Sequence, residues 1–134
     1  MTLNPDFTAL ERAILDAICD GELENSVGLK RLLDTAQLVE RDNTGHGFYT
    51  NLSVSRELPA VSVASPIHGP IAHMIDMGPG MLMGFLLWFA EGYPNCLEGY
   101  QFVDELGNEV DLHERDLATL KFSRLDWELG NPRH

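Results

Sequence analysis

GFLLWFAEGYPNCLEGYQF, residues 84–102, sets two β-prone runs on either side of a Glu91-Gly92 pair. Two such runs joined by two turn residues predict a hairpin. With Glu91 and Gly92 as the turn, Ala90 faces Tyr93, and cross-strand partners share a face of the sheet. One face then gathers Phe89 with Pro94, Leu87 with Cys96, Phe85 with Glu98, Met83 with Tyr100 and Met81 with Phe102. The other gathers Trp88 with Asn95, Leu86 with Leu97, Gly84 with Gly99 and Leu82 with Gln101. The first face is apolar apart from Glu98 and is the expected core face. Cys96 is accordingly expected to be buried, and the Gly84–Gly99 pair to leave a notch of bare backbone. A bulge near Pro94 would send every later residue to the opposite face.

Working outward, HGFYTNLSVS (46–55) alternates with period two. Phe48, Thr50, Leu52 and Val54 point one way and Tyr49, Asn51, Ser53 and Ser55 the other, the pattern of a half-buried strand. Before it, apolar residues recur at helical spacing. Phe7, Leu10, Ile14 and Ile18 predict a helix over 6–20, with Asn4 as cap and Pro5 at its first position. Leu29, Leu32, Leu33, Ala36 and Val39 predict a second over 26–40, capped by Asn25 or Ser26. Pro59, Pro66, Pro70 and Pro79 break up residues 57–80, where AVSVA and IAHMIDM are candidate short strands. DELGNEVDL (104–112) reads as an acidic turn and HERDLATL as a helical turn. LKFSRLDWEL fits a strand or a helix. Helices first and strands after predict one α+β domain over 1–134, with two N-terminal helices packed on an antiparallel sheet of four to five strands.

The chain has 134 residues, 44% apolar and 22% charged, a composition able to bury a core unaided. Asp and Glu number 21 against 9 Lys and Arg, a net charge of −12. That sign repels phosphate backbones and argues against nucleic acid as a partner. It suits a basic protein surface, and solubility alone also accounts for it. Cys19 and Cys96 form no metal or redox spacing and are expected to be buried and reduced, as in a cytoplasmic protein. The N-terminus lacks the pattern of a signal peptide. The longest apolar run, MLMGFLLWFA, is too short to span a bilayer as a helix, so no membrane role is expected.

Two segments carry a resemblance. RDNTGHGFYTNLSV (41–54) resembles a TGxGFxTxF strand through Thr44, Gly45, Gly47, Phe48 and Thr50. The hairpin resembles a GFxLFxxDGxxxxLEGYTYG string through Gly84, Phe85, Gly92, Leu97, Glu98, Gly99 and Tyr100. Both strings occur, in this order, in an uncharacterised family of small acidic bacterial proteins. The resemblance implies the fold class and no activity. After Tyr100 the chain departs from it, with QFVDELG in place of TYG. The acidic composition also resembles immunity proteins encoded beside bacterial toxins.

The candidate binding residues are Glu98, Tyr100, His46, His68 and His73. His68, His73 and Asp76 lie in PIHGPIAHMID, but their spacing matches no metal motif, and neither a metal nor a cofactor is expected. No nucleophile elbow, Walker loop or dinucleotide fingerprint is present. Glu98 poses the sharpest question, since a carboxylate among apolar side chains must be hydrogen-bonded or protonated. It is expected to be buried opposite Phe85 and held by backbone N–H groups of the TGHG turn and the proline-rich loop. The expected function is an acidic binding or interaction module, an immunity-type inhibitor for example, whose partner is a protein or a second copy of itself. The alternative is a small-molecule-binding or hydrolytic enzyme using Glu98 and a histidine such as His46.

Overall fold

A computed structural model describes residues 3–22, 24–102 and 109–127. The first helix, α1, spans Ala9–Gly21 and starts three residues later than the apolar spacing suggests. Its cap is Thr8, not Asn4. The Thr8 hydroxyl accepts from the Glu11 amide at 3.1 Å, while the Glu11 carboxylate accepts from the Thr8 amide at 2.8 Å. This reciprocal pair satisfies two of the N–H groups that every helix start leaves open. Asn4 instead closes the turn before the helix, its side chain accepting from the Asp6 amide. The apolar stripe of α1 is buried as its spacing requires: Leu10, Ile14, Leu15, Ile18 and Cys19 are each at most 1% exposed. Burying one such side chain contributes about 1.5–3 kcal/mol.

Helix α2 spans Ser26–Asp34, ending well short of residue 40. The chain then enters strand β1 (Gln37–Asn43), which forms a hairpin with β2 (Gly47–Ser53) across the TGHG turn. Val39 belongs to no helical stripe; it is 62% exposed, at the bulge where β1 shifts register between Leu38 and Glu40. Helical spacing through 39 was coincidental, because long-range pairing with β2 supplies this segment's backbone partners.

The remaining strands are β3 (Ile67–His68), β4 (Ile71–Met74), β5 (Leu82–Ala90), β6 (Tyr93–Gln101) and β7 (Phe122–Asp126). Every pairing is antiparallel, in the order β1-β2-β6-β5-β4-β7, with β3 beside β4 on the same edge of β5. Among the described residues the sheet therefore has seven strands, more than the four to five expected. The additions are β1, whose first residues were assigned to the second helix, and β3, only two residues long. IAHMIDM contributes β4, whereas AVSVA forms no strand. LKFSRLDWEL resolves as strand β7, and HERDLATL as two short 3-10 turns, Leu112–Glu114 and Leu117–Thr119. Residues 104–108 of the expected acidic turn lie outside the described residues.

The β5–β6 hairpin turns at Glu91-Gly92 as expected, with φ of 54° and 83°. Positive φ at both turn positions is the geometry that matches strand twist. Ala90 pairs with Tyr93 and Phe89 with Pro94, but the register then slips, and Trp88 pairs with Cys96. The slip is a β-bulge, and it reverses the facing of every later residue on β6. The core face holds Met83, Phe85, Leu87, Leu97, Gly99 and Gln101. Cys96, Glu98 and Tyr100 go to the other face, so the expectation that Glu98 and Cys96 sit in the core is corrected. Nor do Gly84 and Gly99 form a notch. Gly99 pairs with Phe85, and a Cβ there would come within 2.8 Å of the Phe85 ring and 3.1 Å of Phe48. Gly84 pairs with Tyr100, whose ring lies directly over it. Each glycine is a seat for a neighbouring aromatic ring.

The buried carboxylate of this protein is Glu11, 0% exposed. Arg41 on β1 grips it through Nε at 2.8 Å and a second guanidinium nitrogen at 2.6 Å. Thr50, the cross-strand partner of Arg41 on β2, donates its hydroxyl to the same carboxylate. With the Thr8 amide, four hydrogen bonds saturate the two oxygens. Burial pushes this carboxyl upward, but the bonds from Arg41, Thr50 and Thr8 outweigh it and hold the group below the ordinary 4.5. A folded-state value below the unfolded one means the contribution is complete above the unfolded value and is lost as pH falls through the folded one. Replacing Glu11 by Gln should therefore cost about 3 kcal/mol at neutral pH, as expected for breaking a buried ion pair. It should also flatten the loss of stability on acidification below the ordinary carboxylate range. Glu98→Gln should change stability by less than about 0.5 kcal/mol. Urea midpoints of the two variants from pH 7 to pH 3 check both outcomes.

Candidate functional site: the open face of the sheet

Both helices lie on the face that carries Thr50, Leu97 and Phe85, as the Glu11–Thr50 bond and the α2–β6 contacts require. The opposite face is built from the other half of each alternating strand. Cross-strand pairing sets its rows. One row runs Asp42, Tyr49, Glu98, Leu86 and His68 across β1, β2, β6, β5 and β3. The next toward the hairpin tip runs Glu40, Asn51, Cys96 and Trp88. On the other side lie Tyr100, Gly84 and Ile71, then Leu82 and His73.

Two aromatic side chains stand out of this face. Tyr49 is 37% exposed and Trp88 is 38% exposed. Glu98 sits between them, half-buried. The Trp88 indole N–H donates to Glu98 Oε1 at 2.9 Å. Tyr49 lies directly across from Glu98, and the carboxylate's charge and hydrogen bond contribute to raising its phenol above the ordinary 10, the charge being the largest cause. Among the described residues no Lys, Arg or His forms an ion pair with Glu98. Tyr100 stacks edge-on with Phe102, their centroids 5.6 Å apart, and extends the aromatic surface along β6. Glu40 and Asp42, both exposed, add negative charge on the β1 side. Toward the far edge, Asp126 engages both the His73 ring, at 2.6 Å, and the Arg124 guanidinium, at 3.2 Å.

Four of the five candidate residues, Glu98, Tyr100, His68 and His73, thus share one face, though they do not converge. His68 is two strands from Glu98 with Leu86 between, about 10 Å at ordinary strand spacing. His73 is engaged by Asp126. His46 lies elsewhere, in the β1–β2 turn, where its ring pairs with Glu109 and not with Glu98. That turn is a structural junction. Buried Gln101 donates to the His46 and Val110 carbonyls and accepts from the Val110 amide, and the Leu112 amide donates to the Gly45 carbonyl. Gly45, at φ +87°, lies against Asp111 and the His113 ring, which reaches the Asn43 carbonyl. Asp76 is exposed on the loop after β4.

Among the described residues, no group of three or more His, Cys, Asp or Glu is arranged to hold a metal ion. No described helix is long and apolar enough to cross a membrane. The two thiols are free. Burial pushes Cys19 up to about 12; burial, helped by the Glu98 charge, pushes half-buried Cys96 up to about 11. Both therefore stay protonated and unreactive at neutral pH. Comparison with protein-family models, curated proteins and solved structures returns no match to this chain.

Sequence reasoning missed the aromatic half of this site. Alternation does put Tyr49 outward, but a register without the bulge separates Trp88 from Glu98. The Tyr49–Glu98 contact has a direct readout. The Tyr49 phenol should ionise above pH 10, and Glu98→Gln, which removes the main cause, should bring it back toward that value. Carbon-13 chemical shifts of the tyrosine rings followed from pH 8 to pH 12 check this.

Proposed function

We propose that the chain is a small acidic interaction module of the immunity-inhibitor kind, docking a basic partner protein on the open face of its sheet. The observation that carries this reading is the exposed pair Tyr49 and Trp88 around Glu98, a carboxylate with no cationic partner among the described residues. Aromatic side chains at the centre of a patch are the usual anchors of protein interfaces. The surrounding charge, Glu40 and Asp42 on the face and −12 overall, favours encounter with a positive surface. The same charges argue against a second copy of the chain on this face, because a two-fold contact would bring like carboxylates together. An enzymatic role for Glu98 draws no support from the geometry, since among the described residues no histidine joins it.

Affinity purification of the wild-type chain and of a Tyr49→Ala/Trp88→Ala variant, read by mass spectrometry, tests the reading. A specific partner should be basic and should be lost with the double variant. Reconstituted from purified components, its affinity should fall at least about 30-fold with the double variant, the effect of removing one interface hot spot or more. It should also weaken as salt rises. A partner that is acidic, or that the folded double variant retains, overturns the proposal.

A further inference from the structure

We infer that Glu98 is the receptor for an arginine side chain of that partner, flanked by the rings of Tyr49 and Trp88. This rests on the docking face proposed above and names its anchor.

The chain contains its own point of comparison. Glu11 and Glu98 both receive neutral donors, the Thr8 amide and Thr50 hydroxyl in one case, the Trp88 indole in the other. A carboxylate offers about four acceptor positions. At Glu11 the remaining two are filled by the paired nitrogens of Arg41, which also neutralise its charge. At Glu98 the remaining acceptor positions meet no cation among the described residues. Glu98 is a pre-oriented half of the pair that Glu11 completes. Trp88 fixes one of its oxygens, and the β2–β6 and β5–β6 pairings fix its backbone.

The surroundings select the kind of cation. Tyr49, directly opposite, and Trp88, on the diagonal, present aromatic surface beside the carboxylate, and Leu86 closes the other side. A guanidinium is planar and weakly hydrated, stacks on aromatic rings and donates two parallel bonds. An ammonium is compact and strongly hydrated, and gains less from ring faces. Within this chain an arginine already lies on an aromatic ring, Arg56 over Tyr93 at 4.2 Å from the centroid. Glu40 and Asp42 on the neighbouring strand supply a field that draws a positive side chain to this spot.

The test uses three acetylated, amidated peptides of one sequence that carry arginine, lysine or the neutral isostere citrulline at the same positions. Their effect is read on the nitrogen-15 indole resonance of Trp88, identified by its absence in Trp88→Phe. The arginine peptide should shift that resonance saturably. The lysine peptide should bind at least five-fold more weakly, and the citrulline peptide should produce no saturable shift. Glu98→Gln should abolish the arginine response while its spectrum remains that of the folded protein. No saturable response to arginine, equal response to lysine or citrulline, or an unchanged response in Glu98→Gln overturns the inference. The partner from the affinity purification separates the two proposals. If Glu98→Gln binds it like wild type while Tyr49→Ala/Trp88→Ala does not, the docking face stands and the arginine anchor falls.

Discussion

Glu11 is the joint on which the fold turns. Its carboxylate reaches the start of α1, strand β1 and strand β2 at once, through Thr8, Arg41 and Thr50. A fully buried carboxylate is tolerable only where hydrogen bonds and an opposite charge replace water, and here both are present. Arg41 and Thr50 are direct cross-strand partners, so the hairpin must be in register before the carboxylate can be satisfied. The docking of α1 and the register of β1 on β2 are thereby coupled. Arg41 also reaches the Asp6 carbonyl at 2.9 Å, which ties the turn before α1 into the same junction.

A second constraint decides what the outer face carries. The bulge after Pro94 advances β6 by one residue relative to β5. Without it, Glu98 would be driven into the apolar side of the sheet with no cation to meet it. With it, Leu97 and Gly99 go inward, Glu98 and Tyr100 go outward, and Pro94 occupies the irregular position where its missing N–H does least harm. The two glycines of the hairpin then serve opposite faces. Gly99 makes room for Phe85 and Phe48 inside, and Gly84 makes room for Tyr100 outside. One extra residue in one strand thus turns a costly buried charge into a surface group framed by aromatic rings.

The resulting molecule is asymmetric in chemistry as well as shape. Its helical side is closed by an apolar core from Leu3 through Leu120, with Glu11, Thr50 and Gln101 as its hydrogen-bonded polar members. Its open side is aromatic and acidic along β2 and β6, and along β4 and β7 Asp126 is met by the His73 ring and the Arg124 guanidinium. The sheet's rigidity matters for this surface, because side chains held on paired strands lose little freedom when a partner arrives.

The sequence alone determined the α+β class, the two helices as elements, the Glu91-Gly92 turn, and the inward and outward sets of β2. Each of these rests on local periodicity or on residues that must adopt positive φ, and such signals are written in neighbouring positions. The capping box of Thr8 and Glu11 was legible too, as a T-x-x-E string before an apolar run, although Asn4 and Pro5 competed with it. Strand β1 and the two-residue strand β3 were not, because their backbone partners come from long-range pairing that local periodicity does not record. The facing of Glu98 was the clearest case for tertiary structure. A bulge leaves no fixed mark in sequence, and its placement answers to which residues can be buried on both strands at once. Packing therefore sent Glu98 outward beside Tyr49 and Trp88 and gave the buried place to Glu11, which alone had Arg41 to meet it.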